Sequence, residues 1–185
     1  MAGRNEALEL AAGTRPIAFA VFVALAAACA ATFGLSVEAL VDTLGCGVLV
    51  AVTVTDLERR VVPNRIILPA LAVALVVQTV RDPSVEWVVA ALAAGGFYLV
   101  AALVYPAGLG MGDVKLAAFL GAWLGASVLV ALFAGSLLAL IPAVVILATQ
   151  GKQGRKVSIP FAPFLAGGGV VALFFGAAIM DAWLG

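Results

Sequence analysis

Histidine is missing from this 185-residue chain and cysteine occurs only twice. The first absence removes the commonest general base and metal ligand among the side chains. Cys29 and Cys46 lie inside apolar stretches without C-x-x-C spacing, so neither a zinc site nor a disulfide framework is expected. Both read as small buried hydrophobes, and no cofactor is expected. Charge is equally scarce: Asp, Glu, Lys and Arg make up 11% of the chain, against roughly 25% in soluble domains. Ten basic residues balance ten acidic ones with no basic patch, so no nucleic-acid partner is expected.

What the chain has in abundance is apolar sequence, with 65% hydrophobic residues and a mean hydropathy of +1.22. The apolar runs are continuous rather than alternating, which argues against a porin-like barrel. They predict an all-α fold, a polytopic membrane helical bundle of about seven transmembrane helices in contact with lipid. Residues 1–15 are polar and precede a first apolar run from Pro16 to about Leu35, about the 20 residues that a spanning helix needs and too long for a signal core. A second run extends from about Ala39 to Thr55, with Asp42 near its start and Asp56 at its end. Spans three and four cover Ile66–Val80 and Ser84–Tyr105. Val114–Thr149 is twice the length of one span and predicts a helical hairpin turning near Gly125-Ala126-Ser127. The last span runs from near Ile159 to about Trp183.

Basic residues mark the cytoplasmic side of span ends. Seven spans entered from the cytoplasm place Arg4, Arg15, Arg59, Arg60, Arg65, Lys115, Lys152, Arg155 and Lys156 there together. The opposite connections carry Glu38, Asp42, Asp82, Glu86 and Asp181 against a single Arg81.

An ionisable residue at the edge of a span is costly and suggests a function. Asp113, in Gly110-Met111-Gly112-Asp113-Val114-Lys115, is such a residue, and Asp56 is a second. Two spans separate them, so both carboxylates end at one membrane face and at nearly the same depth. Two carboxylates a few ångströms apart in a poorly solvated site share one proton. The ionised member then activates a water while the protonated member polarises a peptide carbonyl, which is aspartic-protease chemistry without metal or histidine. Other readings stay open at this level. Asp113 can cap the helix that follows it or pair with Lys115. Asp56 can pair with Arg59 or Arg60, leaving a non-catalytic transporter or assembly scaffold that binds a cation or carries protons.

Three segments in order, Asp56 with Arg59-Arg60-Val61-Val62-Pro63-Asn64, then Gly110 to Lys115, then Ile159-Pro160-Phe161-Ala162-Pro163-Phe164, resemble the type IV prepilin peptidases of the GxGD aspartic protease family. The resemblance covers the chain from about Ala39 onward. It divides the chain into residues 1–38, a tail with an extra first helix, and residues 39–185, a six-helix catalytic core. It implies an intramembrane aspartic endopeptidase in the cytoplasmic membrane of a bacterium or archaeon, its active site facing the cytoplasm, that removes the basic leader of a type IV prepilin or pseudopilin precursor. Asp56 and Asp113 match the family's catalytic aspartates. Gly110, Gly112 and Lys115 are the candidate substrate-binding residues, the glycine-rich loop being suited to receive an extended peptide. The larger bacterial members carry a preceding domain with paired C-x-x-C motifs associated with N-methylation. Without those cysteines, methyltransferase activity is not expected.

Overall fold

The structure, a computed structural model, describes residues 2–106, 108–151 and 159–184, and the side chains among them except those of residues 2–13 and 184. The described residues form seven α-helices and no strand: α1 (Ala2–Phe33), α2 (Val37–Arg59), α3 (Asn64–Arg81), α4 (Glu86–Val104), α5 (Met111–Leu124), α6 (Val128–Gln150) and α7 (Ala162–Leu184). A 3-10 turn, Gly125–Ser127, joins α5 to α6. Six stretches are long and apolar enough to cross a membrane, with Met111–Gln150 counted as one stretch of 40 residues. The chain is a multi-pass membrane protein.

Small residues such as Ala90, Ala91, Ala94, Ala117 and Ala131 line the helix contacts beside buried Leu49, Ile67, Leu116 and Leu120, while Leu92, Val100, Leu103, Leu140 and Ile141 point outward. Lipid tails are as apolar as leucine, so helices associate through close backbone approach rather than by hiding large side chains. The antiparallel pair α4 and α5 shows this where Gly121 lies on the Ala90 carbonyl, and the antiparallel pair α6 and α7 where Gly168 lies on the carbonyl of Ala131. A methyl group at either glycine would collide with backbone, so neither helix pair could close as tightly. On α2 rests α1, with Phe22 over Gly47 and the Thr14 hydroxyl donating to Glu58 Oε1 at 3.2 Å. Cys29 and Cys46 are fully buried and free.

Several boundaries differ from the sequence reading for physical reasons. Helix α1 continues back to Ala2 through Pro16 and absorbs the polar tail. Asp42 does not sit in a connection: it is buried in the second turn of α2, where Trp123 supplies a hydrogen bond. The hairpin turn falls where it was expected, at Gly125, whose φ of +58° suits a residue without Cβ. Its first arm is short, however. The 14 residues of α5 rise only about 21 Å at 1.5 Å each, against a hydrocarbon core of about 30 Å. Lys152, Arg155 and Lys156, assigned above to the cytoplasmic side, lie outside the described residues.

At one end of the bundle, the near end, the C-terminus of α2 meets the N-termini of α3, α5 and α7 through contacts described below. At the far end the N-terminus of α2 meets the C-termini of α3 and α5.

Candidate active site

Helix α2 closes at the near end on Arg60, a non-glycine residue at φ +53° whose N–H donates to the Asp56 carbonyl at 2.8 Å. That left-handed cap turns the chain sharply, and Pro63 in extended conformation starts α3 three residues later. Asp56 thus sits in the last turn of α2, 8% exposed. Its Oδ2 accepts the Ala162 N–H at 3.2 Å. Ala162 opens α7, where the first N–H groups have no partner within the helix, so a carboxylate is well suited to that position.

Asp113 stands at the third position of α5, behind the N-cap Gly110 at φ −86° and ψ 153°. Its Oδ2 accepts the Gly110 N–H at 3.1 Å. This is one half of a capping box, the half that a glycine N-cap can still make. The helix-capping role weighed for Asp113 is therefore real, and it uses one oxygen. In both aspartates Oδ2 is held by a backbone N–H, while Oδ1 has no hydrogen-bond partner among the described residues.

The two carboxylates come from opposite directions. In a helix each Cα–Cβ bond leans toward the N-terminus. Asp56, at the C-terminal end of α2, leans back into the bundle, and Asp113, at the N-terminal end of α5, leans out of it. The two groups lie within electrostatic reach of one another.

The three motif segments converge around them. Gly112 packs against Val62, where an added Cβ would come within 2.8 Å of the valine Cβ. Phe161, just before α7, lies with its ring 6.0 Å from that of the buried Tyr98 on α4. Of the candidate substrate-binding residues, Gly110 supplies its N–H to Asp113 and Gly112 forms a tight seam with the α2–α3 connection. Lys115 turns to neither aspartate, for its Nζ donates to Asn64 Oδ1 at 2.7 Å. Among the described residues neither aspartate forms a contact ion pair, although Arg60 lies within electrostatic reach of Asp56, and the ion pair formed is Arg81 Nη2 to Glu38 Oε2, 3.9 Å, at the far end. Among the described residues no three His, Cys, Asp or Glu side chains form a metal-binding cluster.

Two features escaped the sequence. Asn64 was read as a residue that restarts the chain between spans, and it also anchors Lys115, a contact across 51 positions that leaves no local trace. The Ala162 N–H is a backbone donor, invisible in a residue pattern except through the preceding Pro160, which ends the extended approach to α7.

The sequence profile of the type IV leader peptidase family matches residues 43–144, which include both aspartates. The chain is 35% identical over 177 residues to a prepilin leader peptidase/N-methyltransferase of Bacillus subtilis, covering 91% of this chain and 69% of that protein. Proteins of the same description from Legionella pneumophila and Burkholderia pseudomallei are 32% and 35% identical, covering 83% and 94% of this chain. Against those two the chain spans just over half of the relative's length, 56% and 55%. No solved structure matches. The profile match over more than half of the sequence, together with 35% identity to a relative of which the chain covers more than two thirds, means that this chain belongs to the type IV leader peptidase family.

Proposed function

We propose that the chain is an intramembrane aspartic endopeptidase that removes the leader of type IV prepilin-like precursors, with Asp56 and Asp113 as its catalytic pair. The observation that carries the reading is the convergence of the two carboxylates at one end of the bundle. Each has one oxygen tied to backbone and the other without a partner among the described residues. The tied oxygens fix the orientation of both groups, and the remaining ones are available to a water and to a peptide carbonyl.

The reaction follows from that arrangement. With one proton shared by the pair, the ionised carboxylate takes a proton from water as the water oxygen attacks the scissile carbonyl carbon. The protonated carboxylate donates to the carbonyl oxygen; on collapse of the tetrahedral species that hydroxyl returns its proton, the C–N bond breaks, and the carboxylate that took the proton from water delivers it to the leaving nitrogen. The short α5 supports a recessed site: if its far end reaches one interface, the Asp113 end stops about 9 Å short of the other, from the ~21 Å rise against ~30 Å of hydrocarbon. A substrate with a basic leader in water and an apolar helix in the bilayer presents its scissile bond near that depth. The basic residues Arg59, Arg60, Arg65 and Lys115 at the same end favour its placement at the cytoplasmic face of the inner membrane.

The test is to replace Asp56 and Asp113 singly by Asn, co-express each variant with a prepilin, and follow leader removal by gel mobility and mass. Either substitution is expected to leave the precursor intact while the variant still inserts and folds. Normal processing by either variant would overturn the assignment and favour a scaffold or proton carrier.

A further inference from the structure

At the far end of the bundle lies a buried polar trio. Asp42 on α2 and Gln78 on α3 are each 6% exposed, and Trp123, the penultimate residue of α5, is 2% exposed. The indole Nε1–H of Trp123 donates to Asp42 Oδ1 at 3.0 Å. Gln78 Nε2 donates to the Trp123 carbonyl at 2.6 Å, and Gln78 Oε1 accepts from Arg81 at 3.1 Å. The indole lies so close over Gly45 that a Cβ there would collide with it, and it stacks on Phe119 at 5.7 Å. Thus α5 is bonded to α2 through its penultimate side chain and to α3 through its last backbone turn.

We propose that Asp42 and Gln78, acting through Trp123, are positioning residues that set where α5 presents Asp113 to Asp56; the inference rests on the catalytic assignment above. The bonded end and the working end belong to the same two helices. Asp113 stands ten residues from Trp123, about 15 Å along α5, and Asp56 fourteen residues from Asp42, about 21 Å along α2. The one glycine between Asp113 and Trp123, Gly121, is clamped against the Ala90 backbone, so α5 behaves as a strut and the depth and rotation at which it is held at one end are passed to the other. At the near end the supports of α5 are looser: the Lys115–Asn64 bond is exposed, and Gly112 touches Val62 without a hydrogen bond. Two buried bonds on a stacked indole therefore fix the far end of α5, whose flank packs on α4 through Gly121 on Ala90 and Ala118 on Gly95. A misplacement of about 1 Å between reacting groups can cost on the order of 100-fold in rate.

The experiment uses the purified full chain in lipid vesicles with a prepilin substrate and measures kcat and KM. Trp123→Phe keeps an aromatic ring beside Phe119 and removes the N–H together with part of the indole's packing on Gly45. Asp42→Ala removes its acceptor, and Gln78→Met removes the second bond at similar volume. Each is expected to lower kcat by roughly 10- to 100-fold with KM changed less than about twofold, because the substrate still binds while the carboxylates are misaligned. The double variant Asp42→Ala/Trp123→Phe should be no slower than the worse single one, since both break the same bond. Asp42→Asn retains an acceptor oxygen for the indole and is expected to restore kcat to within about threefold of the parent. Asp42 also borders a cavity of about 380 Å³ that Glu38 and Arg81 line, where the new amide can find a partner.

Loss of activity in Asp42→Asn equal to that in Asp42→Ala would overturn the proposal, since it would make the charge rather than the bond the essential feature. A rise in KM at unchanged kcat, or multiplicative losses in the double variant, would overturn it as well. Should Asp42→Ala fail to fold, Asp42→Asn and Trp123→Phe still decide the matter. Failure of the catalytic assignment is read separately, from cleavage by Asp56→Asn or Asp113→Asn.

Discussion

Asp56 does two things that a pair of substitutions can separate. Its carboxylate holds the buried N–H of Ala162 at the start of α7, 3.2 Å away, and by assignment it moves a proton in catalysis. Asp56→Ala removes both roles. Because Ala162 is fully buried, its N–H would be left without a partner, a cost of about 1–3 kcal/mol, equivalent to roughly a 5- to 150-fold shift in the folding equilibrium. Asp56→Asn keeps an oxygen acceptor in the same place and should retain most of that stability. It cannot act as general base, so its turnover should fall by roughly 10² to 10⁴-fold, as should that of the alanine variant. Thermal unfolding in detergent micelles gives the first quantity and leader removal from a purified prepilin the second. Equal destabilisation by Ala and Asn would refute the role of the Ala162 bond. Appreciable turnover by the Asn variant would refute the catalytic one.

Further consequences concern packing and the rim of the site. Gly168→Ala places a methyl on the Ala131 carbonyl and the Gly135 backbone, so α6 and α7 must separate at a cost of about 1–3 kcal/mol, seen as a lower unfolding temperature. Lys115→Met and Asn64→Ala should each reduce turnover less than about tenfold, and their double variant should match the worse single one if the 2.7 Å bond is their shared contribution. Losses of the size expected for Asp113→Asn would instead make Lys115 part of the chemistry. Arg60→Gly relieves a left-handed backbone at φ +53° and should raise stability by roughly 0.5–1 kcal/mol, measured in the same melts. A fall would mean that the arginine side chain contributes more than the strain costs.

The sequence and the structure agree most closely where the signal is one-dimensional. Long apolar runs broken by Arg59-Arg60, Arg81-Asp82-Pro83 and Gly125 delimit helices because a chain in lipid must satisfy its backbone internally, and few residues can stop a helix there. The alternation of spans put Asp56 and Asp113 at one end by counting alone. Asp42 was misplaced for the converse reason. A carboxylate near the start of an apolar run reads as a boundary, and only the indole N–H of Trp123, 81 positions away, makes it an interior residue. Gln78, polar within an apolar run, carried the same unread signal.

Sequence alone therefore determined that this chain is a helical membrane protein with two acidic residues at one end of its bundle, since hydropathy and helix parity depend only on residue order. The tertiary structure decided which atoms those residues touch, how short α5 is, and that α5 is fastened at its far end to α2 and α3. Those facts depend on contacts between positions dozens of residues apart, whose geometry is set by packing rather than by pattern.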